Sequence, residues 1–246
     1  FSEIIKTVLD YINDRKLSVY NEETNTGIIR HIYLRRGAHS GEIMVCLVIN
    51  YRAASGTSKK AGVGGAQVEY IDGQKALVEK LSKVKGKSSI SVSINTEKTN
   101  VIMGLEVHTI WGKDTISDTL CGLKFEISPL SFYQVNPVQT KKLYEQAIEY
   151  ASLTGKETVW DLYCGIGTIT LSMAKTAGRV YGIEVIPEAI EDAKRNAERN
   201  GISNAEFYCG KAEEVLPEFY EKKRKTVSGG DDGSSLHPDV IVVDPP

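Results

Sequence analysis

The stretch Val159-Trp160-Asp161-Leu162-Tyr163-Cys164-Gly165-Ile166-Gly167-Thr168 decides the fold class. It runs from an apolar strand pattern, Thr158 to Leu162, through an acidic residue and a Gly-x-Gly turn into a helical pattern from Thr168 to Thr176. Strand, tight turn and helix make the opening unit of a parallel sheet with crossover helices. Glycines allow the sharp turn and bring backbone close to a ligand, and the helix start presents free N–H groups. The next strand, Arg179 to Glu184, ends in Gly182-Ile183-Glu184 and sets a carboxylate 17 residues after Gly167. A ribose diol at that strand end can donate two hydrogen bonds to it.

Working outward, the same alternation continues. Helix Pro187 to Asn200, strand Ala205 to Tyr208, helix Ala212 to Lys223 and strand Val240 to Val243 follow, with a Gly-, Ser- and Asp-rich stretch between Thr226 and His237 that reads as a flexible surface loop. Upstream, Asn136-Pro137 is a helix start, because Asn caps free N–H groups and Pro suits the first helical position, so a helix is expected from Pro137 to Ala151. The earlier part has another rhythm. An amphipathic helix carries Phe1, Ile4, Ile5, Val8, Leu9 and Ile12, a hairpin pairs Ile28 to Leu34 with Ile43 to Ile49, and a helical segment spans Gln74 to Val84. Further strands are expected at Ile90 to Asn95, Glu106 to Trp111 and Ile116 to Ile127, and Ala53 to Gly65 reads as a mobile loop. The expectation is therefore an α+β, largely antiparallel domain over 1–125, followed by a Rossmann-like α/β domain over 126–246.

Composition agrees with a globular protein: of 246 residues, 41% are hydrophobic and 25% charged. No apolar run approaches the ~18 residues of a membrane span, and no secretory leader pattern opens the chain. Cys46, Cys121, Cys164 and Cys209 lack C-x-x-C spacing, which argues against a zinc site or a disulfide framework and for a reducing, cytoplasmic setting. Cys46, Cys121 and Cys209 fall in strand patterns and read as core, Cys164 as a structural residue beside the turn. His31, His39, His108 and His237 are too dispersed for a metal site. Residues 1–125 hold 17 Lys+Arg against 13 Asp+Glu, a net +4, whereas 126–246 hold 13 against 19, a net −6. The first half is the better polyanion surface, and Arg30, Arg35, Arg36, Lys59, Lys60, Lys83, Lys85 and Lys87 are its candidates for phosphate contact.

Two nucleoside ligands compete for the Gly-x-Gly turn. A nicotinamide dinucleotide fold wants a small residue at the third position of the fingerprint, and here that position is Thr170. Asp161 would also face the phosphates. A sulfonium and an α-ammonium suit carboxylates better, so the pattern favours S-adenosylmethionine. The strand Asp239-Val240-Ile241-Val242-Val243 ends in Asp244-Pro245-Pro246, where consecutive prolines fix an extended exit and hold Asp244 at the carboxyl edge of the sheet. Just before the Asn136 cap stands Leu130-Ser131-Phe132-Tyr133-Gln134-Val135, whose Phe132 or Tyr133 is placed to stack on a base or adenine and whose Gln134 offers a donor and an acceptor.

In this order, Ser-Phe-Tyr-Gln-Val-Asn-Pro, Asp-Leu-Tyr-Cys-Gly-Ile-Gly-Thr, Gly-Ile-Glu and Val-Asp-Pro-Pro resemble the successive signatures of the RNA uracil-5-methyltransferases, with the ribosomal-RNA branch most similar. The first signature is the most specific; the others recur loosely among Rossmann methyltransferases. The resemblance implies a SAM-dependent enzyme that methylates C5 of a uridine in 23S rRNA, or next in tRNA, through a covalent cysteine intermediate. It also implies that the residues matching Gln134, Tyr163, Glu184 and Asp244 contact the methyl donor, to which the turn adds Gly165 and Gly167, and that Phe132 meets the target base. At Thr168 some members carry Asn.

In that family the nucleophilic Cys follows Asp-Pro-Pro and a Glu acts farther on, so both are expected after Pro246. The methyltransferase domain is then incomplete and this chain inactive by itself. An iron–sulfur cluster or an oligonucleotide-binding domain is expected only N-terminal to it. Two other readings stand beside this one. Asp-Pro-Pro also marks amino-methyltransferases acting on an exocyclic nitrogen, and the chain can be a noncatalytic RNA- or cofactor-binding module.

Overall fold

The computed structural model describes residues 1–51, 68–226 and 237–245, with the side chains of 222–226 left out. The chain divides into two compact units: residues 1–116 with 128–130, and residues 117–127 with 131–246. The expected loop over Ala53 to Gly65 and most of that between Thr226 and His237 lie outside the described residues.

In the first unit α1 (Ser2–Asp14) precedes strands β1 (Ile29–Arg36) and β2 (Ile43–Ile49), then α2 (Gln74–Ser82), β3 (Lys87–Ile94) and β4 (Glu106–Gly112). The strands form one sheet in the order β1-β2-β3-β4. β1–β2 is antiparallel, as the hairpin pattern predicts, and so is β3–β4, whereas β2 and β3 pair in parallel. The parallel step follows from α2, which carries the chain back across the sheet. Ile4 and Val8 of α1 and Leu77 and Leu81 of α2 share a core with Val45, Leu47, Ile90 and Val92.

The basic residues of this unit are less available than their charge suggests. Arg30 donates to the carbonyls of Asn95, Glu97 and Thr99 and stacks over Tyr20. Lys87 is only 9% exposed, lies over the Trp111 ring, and its pKa is lowered by burial. Lys83 pairs with Glu79, and Lys59 and Lys60 lie outside the described residues. Arg30 and Lys87 are thus parts of the fold rather than free phosphate contacts.

The second unit opens with a hairpin, β5 (Ile116–Leu120) and β6 (Leu123–Ile127). The single strand expected over Ile116 to Ile127 is broken by a turn at Cys121 and Gly122, both left-handed at φ 52° and 77°. The boundary expected after residue 125 also moves, since residues 117–127 belong to the second unit. Two asparagines of a helix explain why. Asn200 Oδ1 accepts from Lys124 N at 2.8 Å while its Nδ2 donates to Lys124 O at 2.7 Å. Asn196 likewise accepts from Glu126 N at 2.8 Å and donates to Glu126 O at 3.4 Å. One helical turn apart, these side chains serve the β6 edge as a neighbouring strand would.

Then come α3 (Pro137–Ala151), β7 (Thr158–Asp161), α4 (Thr168–Ala174), β8 (Arg179–Glu184), α5 (Pro187–Arg199), which carries those asparagines, β9 (Ala205–Cys209), α6 (Ala212–Thr226) and β10 (Val240–Val242). The four strands form a parallel sheet in the order β10-β7-β8-β9. Asn136 caps α3 as expected, accepting from Gln139 N at 3.1 Å. On one face Trp160 meets Phe219 of α6 edge-on at 4.9 Å and packs against Tyr181 and Ile183. Cys164, read from sequence as a half-buried structural residue, is buried, while Cys121, expected in the core, sits half-buried at the hairpin turn and Cys209, likewise expected in the core, is exposed at the end of β9, which has one strand neighbour among the described residues.

Asn196 is fully buried and also donates to Ile166 O in the glycine turn at 3.2 Å. Asn196→Ala leaves these backbone groups without their partner and is expected to cost about 2–4 kcal/mol. Asn200→Ala, nearer the surface, is expected to cost about 1 kcal/mol. Urea denaturation followed by tryptophan fluorescence measures both, and equal effects for the two would count against the bracket.

Candidate active site

Register builds the site. Asp161, the last residue of β7, is paired with Gly182 of β8 on one side and Val242 of β10 on the other. Glu184 and Asp244 each lie two residues beyond those partners. Side chains two apart share a face, so both carboxylates rise on the Asp161 side, about 7 Å farther along and two strand spacings, about 10 Å, apart. The three acids act on one another: Asp244 and Glu184 both push the Asp161 pKa upward.

Each acid is held differently. Asp161 is completely buried, and its Oδ2 accepts from Thr170 Oγ1 at 2.5 Å. That bond explains the third position of the glycine fingerprint, where Thr170 serves the acid instead of allowing a pyrophosphate to approach. Glu184 Oε2 accepts from Gly165 N at 3.1 Å, and Oε1 accepts from Val185 N at 2.7 Å and Ile186 N at 3.0 Å. Backbone donors thus fix the carboxylate plane and leave lone pairs for a diol. Asp244 is exposed at the strand exit.

The turn between β7 and α4 depends on two glycines. Gly167 is the N-cap of α4 with φ 85°, which an L side chain rarely adopts. Gly182 has no room for a side chain, because a Cβ there would lie 2.8 Å from Phe207 Cδ1 and 2.9 Å from Cys164 Sγ. Cys164 is packed beneath the turn, and its thiol pKa is pushed well above the usual value by burial and then by Asp161 and Glu184. A thiol in that setting is a structural residue, not a nucleophile.

Above these residues opens a cleft of about 420 Å³. Six of the seven residues predicted from sequence line it: Phe132, Gln134, Tyr163, Gly165, Glu184 and Asp244; Gly167 does not, and acts by shaping the turn. The extended Ser131–Gln134 segment alternates. Ser131 turns inward to Asp192 Oδ2 at 2.9 Å and Tyr133 inward toward Asp118, while Phe132 stands 72% exposed at the cleft edge. Of the two aromatics, Phe132 is therefore the one free to stack. Sequence reasoning missed Tyr144, which lines the cleft from α3 and shares a 2.7 Å hydrogen bond with Thr168 Oγ1. Tyr144 and Thr140 are the buried residues of α3, and a buried tyrosine at that spacing is the available signal.

No Lys, Arg or His lines the cleft among the described residues. Two carboxylates, Glu184 and Asp244, line it with neutral hydroxyls and apolar walls, and Asp161 lies buried outside the lining; such a lining suits a cationic nucleoside better than a phosphate-bearing ligand. These are the features a bound S-adenosylmethionine would use.

Comparison with known proteins points the same way. The family model described as "Methyltransferase domain" matches residues 153–227. An uncharacterized RNA methyltransferase of Clostridium acetobutylicum is 42% identical over all of this chain and 47% of its own length. One from Staphylococcus epidermidis is 44% identical over 99% of this chain and 47% of its own length. The chain therefore spans about half the length of the curated relatives it matches. The solved structure of Pyrococcus abyssi tRNA (uracil-54, C5)-methyltransferase with S-adenosyl-L-homocysteine is 28% identical, with a TM-score of 0.64, over 85% of this chain and 46% of that one. The expected Rossmann-like methyltransferase fold and the resemblance to RNA uracil-5-methyltransferases are borne out. Among the described residues no helix is long and apolar enough to cross a membrane.

Burial raises the Asp161 pKa from 3.8 to about 6, with Asp244 and Glu184 adding to the shift and the Thr170 hydroxyl and Tyr163 N–H opposing it. A raised pKa in the fold means that this group's stability contribution is full below pH 3.8 and is lost as pH climbs through about 6. Asp161→Asn removes that titration. The fall in unfolding free energy between about pH 4 and pH 7 is expected to shrink by about 2–3 kcal/mol. Parallel stability curves for the two proteins would overturn this assignment.

Proposed function

We propose that this chain supplies the donor-binding site of a SAM-dependent RNA methyltransferase, and that the reaction is methylation of C5 of a uridine. The observation that carries the donor reading is the pair of carboxylates Glu184 and Asp244 in a cleft with no cationic lining among the described residues, with the buried Asp161 close enough to interact with both. Glu184, with its plane fixed by three backbone N–H groups, receives the ribose diol. Gln134, Tyr163, Gly165 and Asp244 complete the contacts. The donor supplies an electrophilic methyl group when bound. The RNA reading is supported by the relatives' names, and C5 of uracil by the tRNA methyltransferase at 28% identity.

C5 of uracil is a weak nucleophile until a thiolate adds to C6. C5 then takes the methyl group, a base removes the C5 proton, and the thiolate leaves C6. Cys164 is excluded as that thiolate by burial, and Cys46 is equally buried with its thiol pKa pushed up to about 11. Cys164 is the only cysteine lining the cleft among the described residues, so in this reading the cleft's own lining supplies no nucleophile and the whole protein is the active species. Phe132, exposed at the cleft edge, stacks on a uridine flipped out of the RNA, since C5 of a stacked base is poorly placed for in-line attack on a bound methyl group. The net positive residues 1–125 contribute to RNA affinity. Of the two RNA classes, 23S rRNA is the first to test and tRNA the second.

Calorimetric titration of the chain is expected to show binding of S-adenosylmethionine and none of NAD. Glu184→Ala is expected to weaken donor binding about tenfold or more, in line with the loss of two charge-assisted hydrogen bonds. Unchanged affinity would remove Glu184 from the ribose site. Nucleoside analysis of RNA methylated by the whole protein then separates 5-methyluridine from a base methylated on an exocyclic nitrogen, and absence of any transfer would leave a binding module.

A further inference from the structure

The cleft is acidic at its strand ends, yet a methyl donor carries an α-amino acid whose carboxylate must also be placed. No cation lines the cleft among the described residues, so that carboxylate has to be met by neutral donors. Tyr133 is committed to Asp118. Tyr144 is different: it is 2% exposed, reaches the cleft from α3, and is joined to Thr168 Oγ1 at 2.7 Å. Two hydroxyls carry two protons. Their mutual bond uses one, and whichever oxygen donates, the other proton is left over. Among the described residues no further partner takes it. A leftover O–H in a largely buried place is costly unless a ligand accepts it.

We propose that Tyr144 is a specificity-determining positioning residue: its hydrogen bond to Thr168 holds a hydroxyl proton toward the cleft, and this proton receives the carboxylate of the donor's amino-acid end. The inference rests on the reading of the cleft as a methyl-donor site. Two facts support it. Burial pushes the Tyr144 pKa up to about 12, so the phenol keeps its proton at neutral pH. Asp244 and Asp161 stand close enough to act on Tyr144, which puts carboxylates beside the hydroxyl pair for the ammonium that neighbours the ligand carboxylate. The dipolar amino-acid end then lies across the boundary between acids and hydroxyls. Asp118, on the hairpin, faces Tyr133 and not this pair.

The test compares two cations that differ only in that carboxylate, S-adenosylmethionine and its decarboxylated analogue, titrated into the full chain. Wild type is expected to bind the former more tightly. Tyr144→Phe, which removes only the hydroxyl, is expected to lose about tenfold in affinity for S-adenosylmethionine and to stay within about twofold for the analogue. Thr168→Val is expected to do the same, Thr168→Ser to keep the preference, and the double variant to lose no more than either single one. Equal losses for both ligands would make Tyr144 a wall of the cleft and overturn the proposal, as would an unchanged Tyr144→Phe or a wild type indifferent to the carboxylate. Binding of neither ligand by wild type would instead defeat the donor-site reading beneath it.

Discussion

The register of β7 with its two parallel neighbours is the constraint on which the site depends. Pairing Asp161 with Gly182 and Val242 puts a buried acid between two strand ends that each finish in another acid two residues on. A slip of one residue in either pairing would turn Glu184 or Asp244 to the opposite face, because side chains alternate along a strand. What prevents the slip is packing beneath. Trp160 is pinned on one face against Phe219, Tyr181 and Ile183, and on the other Cys164 fills the space that Gly182 leaves by having no side chain. The large residue and the missing one fix opposite faces of the same sheet.

That sheet is coupled to the β5–β6 hairpin through the asparagine side chains of α5. Asn196 binds both backbone groups of Glu126 and the carbonyl of Ile166, so a helix, the hairpin and the glycine turn share a single buried side chain. Asp192, one helical turn earlier, takes the hydroxyl of Ser131 and so anchors the segment that presents Phe132 and Gln134. α5 is therefore the rigid element that positions contributions from three separate stretches of chain. A site assembled this way keeps its geometry without relying on its loops for support.

Much of this was legible in the sequence, for identifiable reasons. Strand ends followed by Gly-x-Gly, Gly-Ile-Glu and Asp-Pro-Pro announce themselves because local chemistry, tight turns and fixed exits dictate them. The failures share another origin. The turn at Cys121 and Gly122 is marked in the sequence by a single glycine, and the apolar alternation on either side of it reads as one continuous strand. Arg30 and Lys87 looked like free charges because the carbonyls and the indole ring that occupy them come from residues distant in sequence. Cys209 had a strand pattern but sits at the exposed end of β9, and exposure depends on sheet order rather than local sequence. Tyr144 needed a partner 24 residues away before it meant anything.

The acid triangle links stability to ligand choice. Bringing Asp161, Glu184 and Asp244 together raises the energy of the folded state, since burial and like charge both oppose ionisation of Asp161. The Thr170 hydroxyl and the Tyr163 N–H offset part of that cost from inside the protein. The remainder is best relieved by positive charge arriving in the cleft. Net positive charge there lowers the energy of these carboxylates, whereas a ligand of net negative charge adds repulsion. A cation bound at such a site would stabilise the fold by mass action. On the donor-site proposal, selectivity for a cationic nucleoside would be built into the cost of folding this sheet edge.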